Sequence, residues 1–495
     1  MKGTLSDSTA SSTLGYAENP VGAYHTIKRF AVTWKKLFEK LSKLKPAYDV
    51  EIQELSKSTL SLGFQRVWPQ DADLEGAAVA LLRLQQMYKL PVKEFAQGNV
   101  SGVRTSELGA ADCFYIGQIA FHSDDNLPLA VNWIEESLKI QESKGEPLWE
   151  HLQSAYTILA EAYEELGNTK VAAEYAHKAS KNADKEYKKE NAGFLTRDGY
   201  LTELPVPLTQ GFTSNAGMYE RLCRGENVQD PKIEARLFCQ YKKTLVPIRP
   251  VKEEVLYLDP RVSIFYDVIT DKEADILMEL AKPLVFLIFC LTLISFFYYF
   301  LIITMVSSQL SRSMVGEPSI KAKSEQRISK LAWLFDWHLD KTVRHLSKRV
   351  EEITGLSTVY RERSADAEAW QVLNYGIGGM YEPHHDFFGD DEMLKNLPTH
   401  LQDTGRRIAT WLTYLTSAQS GGHTVFPVIK VRVPTVKNAA AFWYNLKRNG
   451  EVDHRTEHAG CPVLLGQKWI SNKWIRERGQ LFRRRCGLTP DALDE

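Results

Sequence analysis

Tyr381-Glu382-Pro383-His384-His385-Asp386 is the stretch that decides how the C-terminal half of this chain reads. As an extended strand over 381–388 it places His384 and Asp386 on one face, because side chains alternate with a period of two, and it turns His385 to the other. An imidazole beside a carboxylate is two-thirds of the 2-histidine-1-carboxylate set. That set caps one face of an octahedral Fe(II) and leaves positions open for a chelating 2-oxo acid and O2. The missing imidazole must come from another strand. His458, in His458-Ala459-Gly460-Cys461-Pro462-Val463, offers it. His454 competes for the role, while His423 lies in a Gly-Gly-x-Thr turn and reads as a loop residue. A third piece, Gly466-Gln467-Lys468-Trp469, supplies a lysine for the far carboxylate of 2-oxoglutarate. Oxo acids without that carboxylate would leave a buried cation unpaired and bind poorly. Each piece is weak alone; linked, they describe a metal and co-substrate site.

The surrounding sequence predicts the architecture. Short β-rich runs with aromatic residues recur at 255–269 (VLYLDPRVSIFYDVI), 369–376 (AWQVLNYG), 408–416 (IATWLTYLT) and 440–446 (AAFWYNL). This pattern suits a double-sheet jelly roll, or double-stranded β-helix. Thr270, with Glu273 three residues on, marks a capping-box helix entering the same domain. The N-terminal half reads as all-α. Residues 21–60 have helical spacing with many lysines, as in a helix that packs on a partner. EGAAVALLRLQQMYKL, from Glu75, is strongly amphipathic. Residues 108–186 read as two helical hairpins, the second turning at Gly167-Asn168, and resemble a tetratricopeptide pair with loosened spacing. The turn-rich stretch around Leu204-Pro205-Val206-Pro207 is the linker. The fold class is therefore α+β and multidomain. It divides into a helical dimerisation or partner region (1–100), a tetratricopeptide-like domain (101–190), a linker carrying Cys223 and Cys239 (191–253), and a catalytic domain (254–495).

Composition narrows the classes. At 495 residues, several domains are expected. With 61 basic against 62 acidic residues there is no electrostatic footprint for nucleic acid. Arg483-Arg484-Arg485 reads as a solvated terminus. Spacing alone leaves the pairing of the six cysteines open. Asn99-Val100-Ser101 is a glycosylation acceptor sequence, consistent with secretion.

From Gln371 to Cys486 the chain resembles the catalytic domain of collagen prolyl 4-hydroxylase α subunits. The resemblance is carried by NYGIGGMYEPHHDF, RRIATWLTYL, GGHTVFP, AAFWYNL and HAGCPVLLGQKWISNKWIRERGQLFRRRC. It implies Fe(II) on His384, Asp386 and His458, and 2-oxoglutarate on Lys468 with Tyr375 and Thr410 assisting. It also implies peptide contacts at Arg407 and Trp443, and ascorbate as the reductant that rescues the iron. Where the family carries a histidine that assists the co-substrate, this chain has Arg476, an arginine that can meet a carboxylate but cannot act as a neutral imidazole. The resemblance further implies disulfides Cys223–Cys239 and Cys461–Cys486, with Cys113 outside the pairs, and hence an oxidising compartment, the endoplasmic reticulum lumen. The implied partner is protein disulfide isomerase as a β subunit in a tetramer of two α and two β chains. The implied substrate is a procollagen-like, proline-rich peptide, held as a polyproline II helix on tyrosines for which Tyr115, Tyr156, Tyr163 and Tyr175 are available. A rival reading is a proline-rich-peptide chaperone or adaptor with a silent catalytic domain.

Two features stand apart from the family. Residues 1–20 are polar and contain no signal peptide, and NPVGAYHTIKRFAVTWKKL resembles a point inside the family's N-terminal region, so the start reads as truncated. Pro283 to Ser311 contains no charged residue. As a helix, its apolar centre would span roughly 33 Å, enough for a bilayer core. Yet it separates the first strands of the catalytic domain from the iron ligands, so a true span would split one domain across a membrane. Excising Val285–Gln309 restores a family-like run, and valine and glutamine codons can carry intron borders. The segment reads as a retained intron, with a membrane-anchored hydroxylase as the other reading.

Overall fold

Asn19 starts the first helix. Its side-chain oxygen accepts from the Val21 backbone N–H at 2.9 Å, and Pro20 follows where a missing N–H costs nothing. This helix, α1 (Pro20–Lys28), runs on into a π-helical segment, Arg29–Trp34. The computed structural model describes residues 15–37, 40, 69–123, 126–144, 151–182, 216–282, 311–312, 329–337, 340–360, 366–387, 403–487 and 489. The apolar segment 285–309, Pro205 and Pro207 of the linker, residues 41–60 of the expected N-terminal helix and residues 1–14 lie outside these. Among the described residues no helix is long and apolar enough to cross a membrane.

The chain divides into two units, Met1–Phe212 and Thr213–Glu495. In the first, the amphipathic run from Glu75 lies within α2 (Asp71–Tyr88), which buries Leu74, Ala78, Leu81, Leu82 and Leu84 on one side. After a short helix α3 (Val92–Ala96) and a small hairpin, β1 (Asn99–Val100) and β2 (Val103–Arg104), come α4 (Ala110–Phe121) and α5 (Leu127–Lys144). They are followed by α6 (Leu152–Glu165) and α7 (Thr169–Asn182). Gly117 lets α4 and α5 approach closely: a Cβ there would meet Ile134 Cγ1 at 2.5 Å. Gly167 turns the second hairpin with φ of 80°, the left-handed backbone that favours glycine. Phe114, Val131, Ile134, Ala155, Leu159 and Ala162 form the shared core.

The second unit is sheet-rich. Helices α8 (Ala216–Cys223) and α9 (Pro231–Glu234) lead into β3 (Cys239–Lys242), β4 (Val251–Leu258), β5 (Arg261–Tyr266) and α10 (Asp271–Ala281). Helix α10 begins at the expected box: Thr270 Oγ1 accepts from the Glu273 N–H, and the Glu273 carboxylate accepts from the Thr270 N–H. Then follow β6 (Ser311–Arg312), β7 (Lys330–Leu334), α11 (Lys341–Thr354), β8 (Trp370–Tyr375), β9 (Tyr381–His384) and β10 (Arg407–Tyr414). The remaining strands are β11 (Ser420–Gly421), β12 (Thr424–Phe426), β13 (Val431–Val433), β14 (Ala440–Tyr444), β15 (His458–Gly460), β16 (Val463–Leu465) and β17 (Lys468–Arg476). Among the described residues these form a nine-stranded sheet, β3-β4-β5-β14-β10-β17-β8-β7-β6, a four-stranded sheet, β13-β12-β15-β9, and the pair β11-β16.

Alternation sorts the major sheet into two faces. Leu277 of α10 and Val343, Leu346 and Val350 of α11 pack with Leu334, Trp370, Val372, Trp411, Trp469 and Ile475. The opposite face, with Leu373, Tyr375, Leu412, Trp443 and Ile470, joins Phe426, Val431 and Val433 of the minor sheet in a second core. The site lies on this second face.

The expected short-range disulfides do not form. Cys223 pairs with Cys461, with Cα atoms 5.5 Å apart, while Cys239 and Cys486 are exposed thiols. Packing explains the correction. Tyr219 of α8 donates to the Gly460 carbonyl at 3.4 Å, which seats the end of α8 beside β15, whereas Cys239 leaves on a strand paired with β4.

Candidate metal centre and co-substrate pocket

Strands β9 and β15 pair with His384 directly opposite His458, so their register alone brings the two imidazoles together. Their rings lie 4.3 Å apart. Both are oriented by their own backbone neighbourhood. His384 Nδ1 is 2.7 Å from the Glu382 carbonyl, and His458 Nδ1 is 3.1 Å from the Thr456 carbonyl. A carbonyl only accepts, so Nδ1 carries the proton in each and Nε2 keeps its lone pair, the arrangement a metal-binding imidazole needs. Asp386 follows β9 and completes the set. Its Oδ1 lies 3.9 Å from His384 Nε2 and its Oδ2 lies 3.6 Å from His458 Nε2. Among the described residues this is the one cluster of metal-ligating groups, with all three ligand atoms within 4.8 Å of each other.

Asp386 is buried, which by itself pushes its carboxyl up. The imidazoles of His458 and His384, the Arg407 guanidinium and a hydrogen bond from Thr410 outweigh that and hold it at about 2. Thr410, on β10, donates to Oδ2 at 2.7 Å, and Asn445 Nδ2 donates in turn to Thr410 Oγ1 at 3.0 Å. The donor set of two imidazoles and one hydrogen-bonded carboxylate fits Fe(II). β9 ends at His384, short of the expected 381–388, and His385 beyond it turns away, with Nε2 3.2 Å from the His454 carbonyl. His454 sits in a 3-10 turn outside the cluster.

Lys468 begins β17 on the same face. It is 2% exposed, and burial pushes its ammonium down to about 7. Nζ stands over the Tyr375 ring, 5.1 Å from its centroid. Among the described residues it has no ion-pair partner, which makes a carboxylate its natural ligand.

The cavity is lined by Tyr375, His384, Asp386, Thr410, Trp443, His458 and Lys468, all picked out in the sequence, and also by Tyr381, Thr424, Asn472 and Trp474. Tyr381 stacks on His384 at 3.5 Å. Asn472 and Trp474 follow from Lys468 by strand alternation, the signal that locates them. Trp443 Nε1, Asn472 Oδ1 and Trp474 Nε1 are buried without a hydrogen-bond partner among the described residues. Such atoms are costly in a fold and inexpensive to satisfy with a ligand.

Arg476 and Arg407 are placed differently from expectation. Neither lines the cavity. Arg407 binds Glu368 through two hydrogen bonds, at 2.6 and 2.8 Å, and lies flat on Trp474, 3.8 Å from its ring. Arg476 is fully buried, 3.1 Å from Glu368 and 2.8 Å from Thr404 Oγ1. Its guanidinium is therefore engaged by the protein. In the helical unit, Tyr163 and Tyr175 donate to the Glu135 carboxylate at 2.7 and 3.3 Å and stack at 5.8 Å. Tyr156 stacks on Tyr175, and Lys178 lies over both of those rings. Tyr115 is apart from them, in the field of Glu75 and Asp71 of α2.

The family model "Prolyl 4-Hydroxylase alpha-subunit, N-terminal region" matches residues 3–102, and "2OG-Fe(II) oxygenase superfamily" matches 370–476. Prolyl 4-hydroxylase subunit alpha-1 of Rattus norvegicus is 33% identical over 96% of this chain and 85% of its own length. The Homo sapiens subunit alpha-1 is 34% identical with the same coverage. A viral collagen prolyl hydroxylase from Paramecium Bursaria Chlorella virus-1, solved with 2OG, is 21% identical over 43% of this chain and 95% of its own, at a TM-score of 0.29. With full-length relatives at a third identity and the ligand set assembled, the chain belongs to the prolyl 4-hydroxylase alpha-subunit family.

Proposed function

We propose that this chain hydroxylates proline at C4 in proline-rich, procollagen-like peptides, using O2 and 2-oxoglutarate. The observation that carries the reading is one cavity holding His384, Asp386 and His458 with the buried Lys468. The two histidines and Asp386 hold Fe(II), and Lys468 takes the far carboxylate of 2-oxoglutarate, with Tyr375 beside it. Bound iron supplies the oxidising chemistry: one oxygen atom enters proline and the other enters succinate, with loss of CO2. The residues bind and orient. Thr410 fixes the Asp386 carboxylate, the backbone carbonyls of Glu382 and Thr456 fix the imidazoles, and Trp443 packs its ring against His458.

Family membership supports a β-subunit partner; protein disulfide isomerase, in a tetramer of two α and two β chains, is our reading of it. Ascorbate as reductant and residence in the endoplasmic reticulum lumen belong to the same reading. So does the finer division into a partner region (1–100), a tetratricopeptide-like peptide-binding domain (101–190), a linker (191–253) and a jelly-roll catalytic domain (254–495). In the peptide-binding domain the cluster Tyr156, Tyr163 and Tyr175 is a better groove than any set including Tyr115, because its rings adjoin. The test is mass spectrometry of a proline-rich peptide, with the chain co-expressed with protein disulfide isomerase and without residues 285–309. Hydroxylation that needs 2-oxoglutarate and disappears in His458→Ala is the expected result. A soluble, iron-loaded complex that leaves proline unmodified would refute it.

A further inference from the structure

Two stretches far apart in sequence meet at the C-terminal end of α11. The Leu245 backbone N–H donates to the Glu352 carbonyl at 2.8 Å. Arg483 Nη1 donates to the Gly355 carbonyl at 3.2 Å, and its Nη2 meets the Glu351 carboxylate at 2.8 Å. Glu351, Glu352 and Gly355 are the last turn and cap of that helix. Both stretches are held from behind. Thr244 Oγ1 accepts from the Val246 N–H at 3.1 Å and stands 3.0 Å from the Arg249 carbonyl, which closes the loop 244–249 on itself. The Arg483 and Arg484 N–H groups donate to the Gln480 carbonyl at 2.8 and 2.9 Å. The Gln480 side chain is buried, accepting from the Ser357 N–H and donating to the Ser357 carbonyl. Yet each stretch turns apolar side chains to water. Phe482 is 99% and Ile248 87% exposed, the highest values for large apolar residues among the described residues, and Leu245 and Leu481 are exposed in the same two stretches. Apolar groups presented on a fixed backbone lose little freedom when they are covered, which is what anchors of an interface require.

Charge narrows the occupant. Residues 244–249 and 478–485 carry five arginines, Arg249, Arg478, Arg483, Arg484 and Arg485, and no acidic residue. A second copy of this chain, docked on the same face about a two-fold axis, would set arginine against arginine. A lipid surface needs its cations free and its neighbourhood without carboxylates. Here Arg483 is paired with Glu351, Arg484 lies over the Tyr444 ring at 3.9 Å, and Glu352 adjoins. We propose that this face docks a partner protein that offers an apolar depression rimmed by carboxylates. Phe482 and Ile248 are its anchors, and the exposed arginines set approach and orientation. The inference rests on the β-subunit reading above: the occupant is that subunit, and the face says where on the catalytic unit it sits. Arg483-Arg484-Arg485, which as sequence reads as a solvated terminus, becomes part of an interface rim.

The test co-expresses the full chain with protein disulfide isomerase and compares Phe482→Asp, Ile248→Asp and Phe482→Leu with the unaltered protein. Assembly is read by size-exclusion chromatography with light scattering, and affinity by biolayer interferometry at low and high salt. Each aspartate is expected to raise Kd about tenfold or more, and Phe482→Leu to stay within about threefold. Added salt should weaken the unaltered complex. Both anchors lie in water, so far-UV circular dichroism of the variants should match the unaltered chain. If one variant fails to fold, the other, from the separate stretch, decides. Equal affinity for all four proteins refutes the face and leaves the β-subunit reading standing. An unaltered chain that never assembles with this partner refutes both. Self-association, or flotation on phosphatidylserine vesicles, that is lost in Phe482→Asp while assembly persists overturns the proposal in favour of a second copy or a membrane.

Discussion

Thr410 donates 2.7 Å to Asp386 Oδ2 while Asn445 donates 3.0 Å to Thr410, so one metal ligand is held by a two-bond relay. Groups that orient a ligand typically govern metal affinity by about 10–100-fold. Thr410→Val, which keeps the shape and removes the hydroxyl, is expected to weaken Fe(II) binding within that range. Thr410→Ser should restore it. Titration calorimetry with Co(II) as an air-stable substitute reads this directly, and equal affinities for the three proteins would exclude the relay.

The buried Lys468, held down at about 7, makes co-substrate binding pH-dependent. The carboxylate needs the protonated form. Above about pH 7 the free site must first take up a proton, so 2-oxoglutarate affinity should fall by up to about tenfold per pH unit. Between that value and the ordinary lysine value the unfolded chain binds more protons at this position. There the group makes stability rise with pH. Lys468→Met should abolish the slope in binding; a pH-independent Kd in the unaltered protein would contradict the depressed lysine.

Glu368 is shared by two arginines, with Arg407 on one side and Arg476 on the other. Burial alone would raise its carboxyl, but the guanidiniums, Arg407 ahead of Arg476, hold it below the usual carboxylate range. Glu368→Ala would strand the buried Arg476 and the partly buried Arg407 and is expected to cost about 3–5 kcal/mol of stability, read by thermal denaturation. Arg476→His should lower the melting temperature yet leave the KM for 2-oxoglutarate within about twofold, because the guanidinium is outside the cavity. A large change in that KM with stability intact would return Arg476 to the co-substrate site.

Connectivity of the cysteines is open to direct test. Alkylation without reduction should label Cys239 and Cys486 and spare Cys223 and Cys461. Cys223→Ser is expected to destabilise the catalytic unit by about 2–5 kcal/mol, since the closed loop is long. Peptide mapping that links Cys223 to Cys239 would refute this arrangement.

The ligands were legible because local rules suffice for them. The expected strand over 381–388 stops at His384, so His385 and Asp386 lie just past its end, yet His385 still points away from the cluster; the capping box at Thr270 needs only neighbours in sequence. The helical hairpins and the Gly167 turn were legible for the same reason. The pairing of Cys223 with Cys461 was not, because it depends on α8 crossing over β15, a contact between distant stretches. Arg476 misled for a related cause. Its place on the pocket face of β17 is readable, but that Glu368 and Thr404 engage its guanidinium is a fact of tertiary packing. Asn472 and Trp474, four and six residues beyond Lys468 on β17, were within reach of strand alternation.

His384 and His458 belong to the minor sheet, whereas Asp386 is bonded to Thr410 on the major one. An ion held by all three is a rivet between two layers as well as a reaction centre. The folded domain binds it and the unfolded chain does not, so metal concentration enters the folding equilibrium directly. In a cell short of iron the apoprotein would be the less durable species, and the amount of enzyme, as well as its rate, would follow metal supply.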